Sequence, residues 1–153
     1  MKNVTVIGGG VLGSQIAFQV AYSGFRVKVW LRSESSIERT KAKLEKLRKT
    51  YVDSINDMKN KKTQNWCYGI SNFENFNADE CLKKISNAYD NITLELDLEE
   101  SIKDADLIIE SMSEDFKAKR DLYKKISPFV RRDTIVVTNS STMLPSKLAR
   151  YTK

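Results

Sequence analysis

The feature that most constrains the fold is a glycine-rich stretch near the amino terminus, GGGVLG. Gly8, Gly10 and Gly13 follow the spacing G-x-G-x-x-G. β-Forming residues at Val4 to Ile7 precede the glycines, and apolar residues at helical spacing follow them until Gly24. A strand, a tight glycine turn and a closely packed helix form the phosphate-binding unit of many α/β proteins. The pattern therefore predicts a helix start whose free N–H groups face a pyrophosphate.

The rest of the chain alternates between strand and helix patterns. Further strands are predicted at 27–31, 92–96, 106–110 and 134–138, and helices at 37–55, 78–86, 98–102, 116–129 and 145–150. Such alternation indicates a mainly parallel sheet with helices on both faces. A length of 153 residues suits one core. We therefore predict one doubly wound α/β domain of the Rossmann type, spanning residues 1–153.

Composition excludes several classes of protein. The net charge is +6, and many of the cations fall in two helix-like blocks that also carry acids. No nucleic-acid-binding motif is present, so we predict an anionic small-molecule partner and no nucleic acid. No apolar stretch approaches the roughly 20 residues that cross a bilayer. Cys67 and Cys81 occur without any histidine, which argues against a zinc site. We expect a cytoplasmic protein with reduced thiols, no bound metal and no membrane contact.

The end of the second predicted strand departs from the usual dinucleotide pattern. An Asp or Glu normally stands there and binds the adenosine ribose, whereas this chain has Leu31, Arg32 and Ser33. Folds that bind NADP use a neutral residue and a nearby Arg for the 2′-phosphate. The motif therefore favours NADP over NAD. NAD stays open, because Glu34 would oppose a phosphate and an exposed Arg after a strand often has no such role.

A second set of motifs lies in the carboxyl-terminal half. Glu110 ends a predicted strand, Glu114 follows four residues later, and Lys119 follows five residues beyond that. The polar run Asn139 to Thr142 comes after the next strand. Together with VIGGGVLGSQIA, these motifs resemble the NAD-binding domain of the 3-hydroxyacyl-CoA dehydrogenases, although residues 49–92 match poorly. Independently of the resemblance, a polar loop at the carboxyl end of a strand in a doubly wound sheet is where ligands bind.

The resemblance implies roles for particular residues. It implies cofactor contacts from Gly8, Gly9, Gly10, Val11, Leu12, Gly13, Glu114 and Lys119. It also implies that Ser141 lies beside the nicotinamide and orients the substrate's 3-oxygen, and that Asn139 shapes the same loop. Ordinary structural roles stay open. Glu110 could cap an element, Lys119 and Arg120 could be solvated helix residues, and the Asn-Ser-Ser-Thr run could be a turn.

The implied reaction is reversible hydride transfer between a nicotinamide and C3 of a 3-hydroxyacyl-CoA, in fatty acid or hydroxybutyryl-CoA metabolism. In this family a His, paired with a Glu, moves the proton, and this chain has no histidine. We therefore expect the helical carboxyl-terminal domain, which closes over the acyl-CoA and forms the homodimer, to be absent from this chain. We predict binding without turnover, and a monomer, for the 153-residue chain.

Two alternative functions stay open. Dehydrogenases of carnitine and of other β-hydroxy acids share this architecture, so the substrate is not determined. The basic helix at Arg39 to Lys49 could meet the 3′-phosphate of CoA or could simply be a solvated face. The missing histidine also supports a non-catalytic nucleotide-sensing module.

Overall fold

The computed structural model describes residues 2–61 and 66–152. Its strands form one sheet in the order β3-β2-β1-β4-β5, and all four pairings are parallel. The strands are β1 (Asn3–Ile7), β2 (Arg26–Trp30), β3 (Ile92–Glu95), β4 (Leu107–Glu110) and β5 (Ile135–Thr138). Each begins within one residue of its predicted start. The predicted parallel α/β class is confirmed.

Six α-helices connect or follow these strands in the described residues. They are α1 (Val11–Tyr22), α2 (Ser35–Lys59), α3 (Ala78–Asp90), α4 (Leu98–Ile102), α5 (Phe116–Ile126) and α6 (Pro145–Ala149). The largest differences from prediction are the longer carboxyl ends of α2 and α3. Helix ends depend on capping and tertiary contacts more than on periodicity, so they are the least predictable part. Among the described residues, no helix is both long and apolar enough to cross a membrane.

The two faces of the sheet are buried in separate cores. Helices α1, α2 and α3 cover one face, whose fully buried residues include Val6, Phe18, Val29 and Ile55. Helices α4, α5 and α6 cover the other, with Ile7, Ile108, Ile126 and Leu148. Successive residues of β1 point to opposite faces, so both must be apolar. This explains why β4 is a continuous apolar run up to Glu110.

The order of the strands creates the ligand-binding position. Strand β1 lies between β2 and β4, so the chain leaves β1 towards one side and later returns to the other. A crevice opens at the carboxyl ends of the strands where such an order reverses, and ligands of open α/β sheets bind there. In this protein that crevice lies between the loop after β1 and the loop after β4.

Candidate functional site

The glycine loop after β1 is packed tightly against its surroundings. Gly8 has a φ of +112°, a conformation that L side chains rarely adopt, and it lies against the Ser111 backbone. A Cβ on Gly9 would lie 2.5 Å from Leu31 Cδ2 and would also clash with the Thr40 hydroxyl. Both neighbours are buried. The loop therefore needs glycine at Gly9, an "x" position of the motif, as well as at Gly8.

Gly10 is different, because its open side faces no protein atom. A Cβ placed on Gly10 would meet nothing within 4 Å. Gly10 is also the N-cap of α1, and no side chain accepts a hydrogen bond from the first turn. Val11 and Leu12 begin this turn and are 68% and 48% exposed. The start of α1 thus presents free N–H groups and open space, as a bound pyrophosphate requires.

The loop opens into a groove of about 310 Å³ at the crevice. Its lining combines three segments with the glycine loop: the end of β2, one face of α2 and the loop after β4. The lining residues are Gly8, Gly9, Gly10, Trp30, Leu31, Arg32, Ser36, Arg39, Thr40, Lys43, Ser111, Met112 and Ser113. A pocket of about 430 Å³ lies at the opposite, amino-terminal edge of the sheet, between Asn3, Arg26 and Asp106. It lacks both the glycine loop and a helix start, so we place the site at the groove.

Three cations lie on the α2 side of the groove. Arg32 and Arg39 are exposed and Lys43 is half-buried. Lys43 Nζ donates to the Gly9 carbonyl at 3.2 Å, and Arg39 Nη2 donates to Ser36 Oγ at 3.1 Å. In the parts of the chain that the structure describes, none of the three cations forms an ion pair with a carboxylate. This side of the groove therefore carries positive charge without a paired carboxylate in the described parts of the chain. We call it the cationic side, defined by Arg32, Arg39 and Lys43.

Arg39 and Lys43 were not predicted as site residues. Both belong to the basic block that was interpreted as a solvated helix face or a CoA contact. Ser36, Thr40 and Lys43 are spaced by four and three residues, so they share one face of α2. That face points at the glycine loop, since Thr40 Oγ1 also donates to the Gly9 carbonyl at 3.3 Å. The spacing was visible in the sequence, but the direction of the face was not.

The other predicted residues at the end of β2 have different environments. Leu31 is only 2% exposed and packs in the core beneath Gly9. It lines the groove with an apolar side chain where a ribose-binding carboxylate would stand. The Ser33 hydroxyl contacts the Ser35 and Ser36 hydroxyls at 3.1 and 3.0 Å, at the start of α2. Ser36, rather than Ser33, lines the groove.

On the other side of the crevice, Glu110 ends β4 and is fully buried. Its Oε1 accepts hydrogen bonds from Met112 N at 2.6 Å and from Lys119 Nζ at 2.9 Å. Its Oε2 accepts from the same Nζ at 2.9 Å and from Thr138 Oγ1 at 2.6 Å. Both oxygens are thus engaged, as a buried carboxylate requires. Glu110 joins the ends of β4, β5 and α5.

The structure corrects the expectation for Lys119. Its residue exposure is 0%, and its Nζ bonds Glu110 and lies 3.5 Å from the Met112 carbonyl. The interpretation as a solvated helix residue is therefore wrong. The expected contact with the cofactor stays a prediction, and in this structure the ammonium bonds both oxygens of Glu110. The α5 face that carries Lys119 packs on the sheet, so the side chain reaches Glu110 instead.

Glu114 and the polar loop after β5 are brought together. Glu114 Oε2 accepts from Ser140 Oγ at 2.6 Å and from Thr142 Oγ1 at 2.9 Å, and Oε1 accepts from Ser141 N at 3.4 Å. The two hydroxyl bonds lower the pKa of Glu114, so its carboxylate stays ionised. Ser141 and Asn139 are exposed on this loop. We call this half the anchored side, defined by Glu110, Glu114, Lys119 and residues 138–142.

No metal site accompanies this arrangement within residues 2–61 and 66–152. No group of three or more His, Cys, Asp or Glu side chains is placed to hold an ion there. Cys67 and Cys81 are free thiols. The polar groups of the crevice are hydroxyls, backbone amides, cations and two carboxylates that are already hydrogen-bonded. Such groups can bind and orient an anionic ligand.

The strand order, the glycine loop and the open helix start define a Rossmann-type dinucleotide-binding domain. Residues 3–153 match the family model described as "3-hydroxyacyl-CoA dehydrogenase, NAD binding domain". The chain therefore belongs to this family of NAD-binding domains.

Individual relatives agree with the family assignment. The chain is 29% identical over 153 residues to the mitochondrial hydroxyacyl-coenzyme A dehydrogenase of Homo sapiens, and 29% identical over 150 residues to the 3-hydroxybutyryl-CoA dehydrogenase of Clostridioides difficile. These matches cover 99% and 98% of this chain but 43% and 45% of the relatives. The chain thus spans less than half the length of the curated relatives it matches.

A solved structure of a diketoreductase that acts on dicarbonyl compounds is similar over 99% of this chain and 46% of its own, with a TM-score of 0.76 and 36% identity. A solved (S)-3-hydroxybutyryl-CoA dehydrogenase from Ralstonia eutropha has a TM-score of 0.73, with 21% identity over all of this chain and 46% of its own. At that identity the second likeness concerns the fold alone. Both agree with the architecture described above.

Proposed function

We propose that this chain binds a nicotinamide dinucleotide and serves as the cofactor domain of an oxidoreductase that acts on 3-hydroxyacyl-CoA. The observation that carries the proposal is the open side of Gly10 at the uncapped start of α1, next to the crevice. A pyrophosphate fits there, because free N–H groups and the helix dipole both favour an anion. The nicotinamide would supply the hydride acceptor or donor.

The residues of this chain divide the binding work between them. The glycine loop receives the pyrophosphate, and the cationic side receives the adenosine half. The exposed Ser141 and Asn139 lie on the loop where the nicotinamide and the substrate's C3 oxygen would meet, so Ser141 orients that oxygen. The names of the human and clostridial relatives support a CoA thioester as the substrate. The two free thiols support a reducing compartment such as the cytoplasm.

Binding and turnover can be tested separately. We expect NADH fluorescence titration to show saturable binding to the chain, with AMP as a competitor. We also expect no oxidation of NADH by acetoacetyl-CoA above a no-protein control, since the chain contains no histidine that could move the proton. A chain that binds neither NADH nor AMP would refute the proposal. Measurable oxidation of NADH would refute the expectation that the chain binds the cofactor without turnover.

We further propose that the adenosine half carries a 2′-phosphate, so that NADP is preferred to NAD. The support is chemical: Leu31 replaces a ribose-binding carboxylate, while Arg32 and Arg39 are cations without a carboxylate partner in the described residues. Arginine binds phosphate by charge-assisted hydrogen bonds. The Ser36 hydroxyl beside Arg39 adds a further donor.

The 2′-phosphate proposal can be tested with fragments. We expect 2′,5′-ADP to bind about tenfold more tightly than 5′-AMP, as one or two charge-assisted hydrogen bonds would produce. Arg32→Ala and Arg39→Ala should reduce this ratio while leaving the affinity for 5′-AMP nearly unchanged. Lys46→Ala is the matched control, because Lys46 is an exposed cation of α2 outside the groove lining. Equal affinities for both fragments would leave NAD as the cofactor.

A second candidate substrate class is a small dicarbonyl compound or free β-hydroxy acid. The observation in its favour is the 36% identity to the diketoreductase. The basic face of α2 discriminates between the two substrate classes, since of these substrates only a CoA thioester carries phosphates. We expect CoA to shift the amide NMR signals of α2 in the chain loaded with NADH. If CoA leaves those signals unchanged, the smaller substrate class is favoured.

A further inference from the structure

The buried ion pair formed by Glu110 and Lys119 has no role in the binding proposed above. Both side chains are 1% exposed, and Nζ lies 2.9 Å from each carboxylate oxygen. The pair is remote in sequence from the glycine loop; Glu110 was expected to end a strand, and Lys119 to contact the cofactor or to be a solvated helix residue. Burying two charges costs several kcal/mol per ion even after pairing, and apolar residues of similar volume often replace such pairs without loss of stability. Stability alone therefore does not explain the pair.

The hydrogen bonds of the pair lead to the loop after β5. Thr138 Oγ1 donates to Glu110 Oε2 at 2.6 Å and accepts from Ser140 N at 3.1 Å. Ser140 Oγ in turn donates to Glu114 Oε2 at 2.6 Å. The Thr138 hydroxyl has one proton, so donation to Glu110 leaves its lone pairs for the Ser140 amide. The Glu110 carboxylate can only accept, so it sets the direction of the Thr138 hydroxyl at the start of this path.

The same pair also holds the loop after β4. Met112 N donates to Glu110 Oε1 at 2.6 Å, and Lys119 Nζ lies 3.5 Å from the Met112 carbonyl. Met112 lines the groove next to Gly8. Burial, and secondly the nearby Glu110 charge, raise the pKa of Tyr123 to about 12, so its hydroxyl stays protonated beside the pair. One ion pair therefore holds both polypeptide segments that border the nicotinamide end of the crevice.

We propose that Glu110 and Lys119 are positioning residues, which act through Thr138 and Ser140 to hold the Ser141 loop in register with a bound nicotinamide. This inference rests on the proposed binding of a nicotinamide dinucleotide. Lys119 Nζ bonds both oxygens of the Glu110 carboxylate, and that carboxylate accepts the hydrogen bond that aligns the Thr138 hydroxyl. The pair thus affects the nicotinamide half of the ligand and not the adenosine half.

Thr138 offers the sharpest test, because two small substitutions separate its hydroxyl from its volume. Thr138→Val keeps the shape and removes the hydrogen bonds, whereas Thr138→Ser keeps the hydroxyl. For Thr138→Val we expect the affinity for NADH to fall about tenfold and the affinity for AMP to stay within about twofold. Thr138→Ser should behave like the wild-type chain. Lys119→Met should likewise weaken NADH binding more than AMP binding. Lys117 is exposed on the same helix, so Lys117→Met is the control.

Amide hydrogen exchange measures the anchoring without any ligand. We expect exchange at residues 139–142 to accelerate about tenfold in Thr138→Val and to stay unchanged in Thr138→Ser. Unchanged exchange in Thr138→Val would overturn the inference, as would an equal loss of NADH and AMP affinity. A wild-type chain that binds neither nucleotide would overturn the proposed function and the nicotinamide role. The exchange result would then still decide whether the pair anchors the loop.

Discussion

The two sides of the crevice use their charged side chains differently. On the cationic side, Arg32, Arg39 and Lys43 carry charge that no carboxylate in the described residues neutralises. On the anchored side, Glu110 and Glu114 have their oxygens engaged by donors of the protein itself. One side leaves its donors free for a ligand, and the other uses its acceptors internally.

The contrast separates two ways in which a fold prepares a binding site. Exposed cations attract and bind an anion, and their contribution is lost to salt and to competing anions. A buried, internally bonded network contributes geometry, because it fixes where a loop lies before the ligand arrives. Substitutions on the first side should therefore change affinity with little effect on stability, and substitutions on the second should change both.

The largest expected effect comes from removing one partner of the buried pair. Lys119→Met leaves the Glu110 carboxylate buried without a cation, which costs about 3–5 kcal/mol of the free energy of unfolding. Arg39→Ala, on the cationic side, should change it by less than about 0.5 kcal/mol. Urea unfolding followed by circular dichroism measures both. The contrast between the two sides would be lost if the two variants unfolded at the same urea concentration.

The double variant Glu110→Leu/Lys119→Met provides the control for this prediction. It removes both charges, so no uncompensated ion stays in the core. We expect it to recover much of the stability that Lys119→Met loses. It should nevertheless keep the weakened affinity for NADH, because the Thr138 hydroxyl has lost the acceptor that aligns it. Recovery of both properties would argue against a positioning role.

Substitutions at two adjacent glycines of the loop should affect different properties: stability at Gly9 and ligand binding at Gly10. Gly9→Ala forces a Cβ against Leu31 and Thr40, so we expect a loss of about 1–3 kcal/mol in the free energy of unfolding. Gly10→Ala meets no protein atom within 4 Å and should change that energy by less than about 0.5 kcal/mol. Its methyl group instead occupies the space of the pyrophosphate. We expect titration to show weakened binding of NADH to Gly10→Ala.

Gly9→Ala and Gly10→Ala serve as controls for each other. If Gly10→Ala binds NADH as well as the wild-type chain, the pyrophosphate does not lie at the start of α1. An equal loss of stability in both variants would mean that the loop rearranges in solution. Either result would move the proposed site away from this turn.

Salt should change ligand affinity on the cationic side and leave the anchored loop unaffected, with smaller effects than the substitutions above. Raising the ionic strength shortens the screening length from about 10 Å at 0.1 M to about 3 Å at 1 M. We expect the affinity for 2′,5′-ADP to fall with salt more steeply than the affinity for 5′-AMP, and Arg39→Ala to reduce that difference. Amide exchange of the anchored loop should not depend on salt. Identical salt slopes for the two fragments would remove the cationic side from phosphate binding.

The smallest expected effect is a pH dependence of the anchored loop. Hydroxyl bonds lower the pKa of Glu114 from its ordinary value of 4.5. The stabilisation is therefore fully present above that value and is lost as the pH falls through the lowered pKa. We expect the amide NMR signals of residues 140–142 to move only in this acidic range. Glu114→Gln should abolish the movement, and a movement near neutral pH would contradict the assignment.

Much of the fold was predictable because its signals are local. The apolar run of β1, the glycine turn and the periodicity of α1 each depend on neighbours within a few residues. The pairing of Glu114 with the polar loop after β5 was harder to predict from the sequence. The resemblance named both motifs, but their hydrogen bonds join residues 26 to 28 positions apart. Parallel order alone explains the meeting, since the carboxyl ends of β4 and β5 are adjacent.

The sequence by itself determined a parallel α/β domain with a helix start open to a pyrophosphate, because glycine spacing and periodicity are short-range properties of the chain. Only the tertiary structure decided which lysines face the groove. Lys43 faces the groove and Lys119 is buried with Glu110, although both occur in basic helical runs. The physical reason is that a helix face acquires its environment from what packs against it. No local pattern encodes that choice.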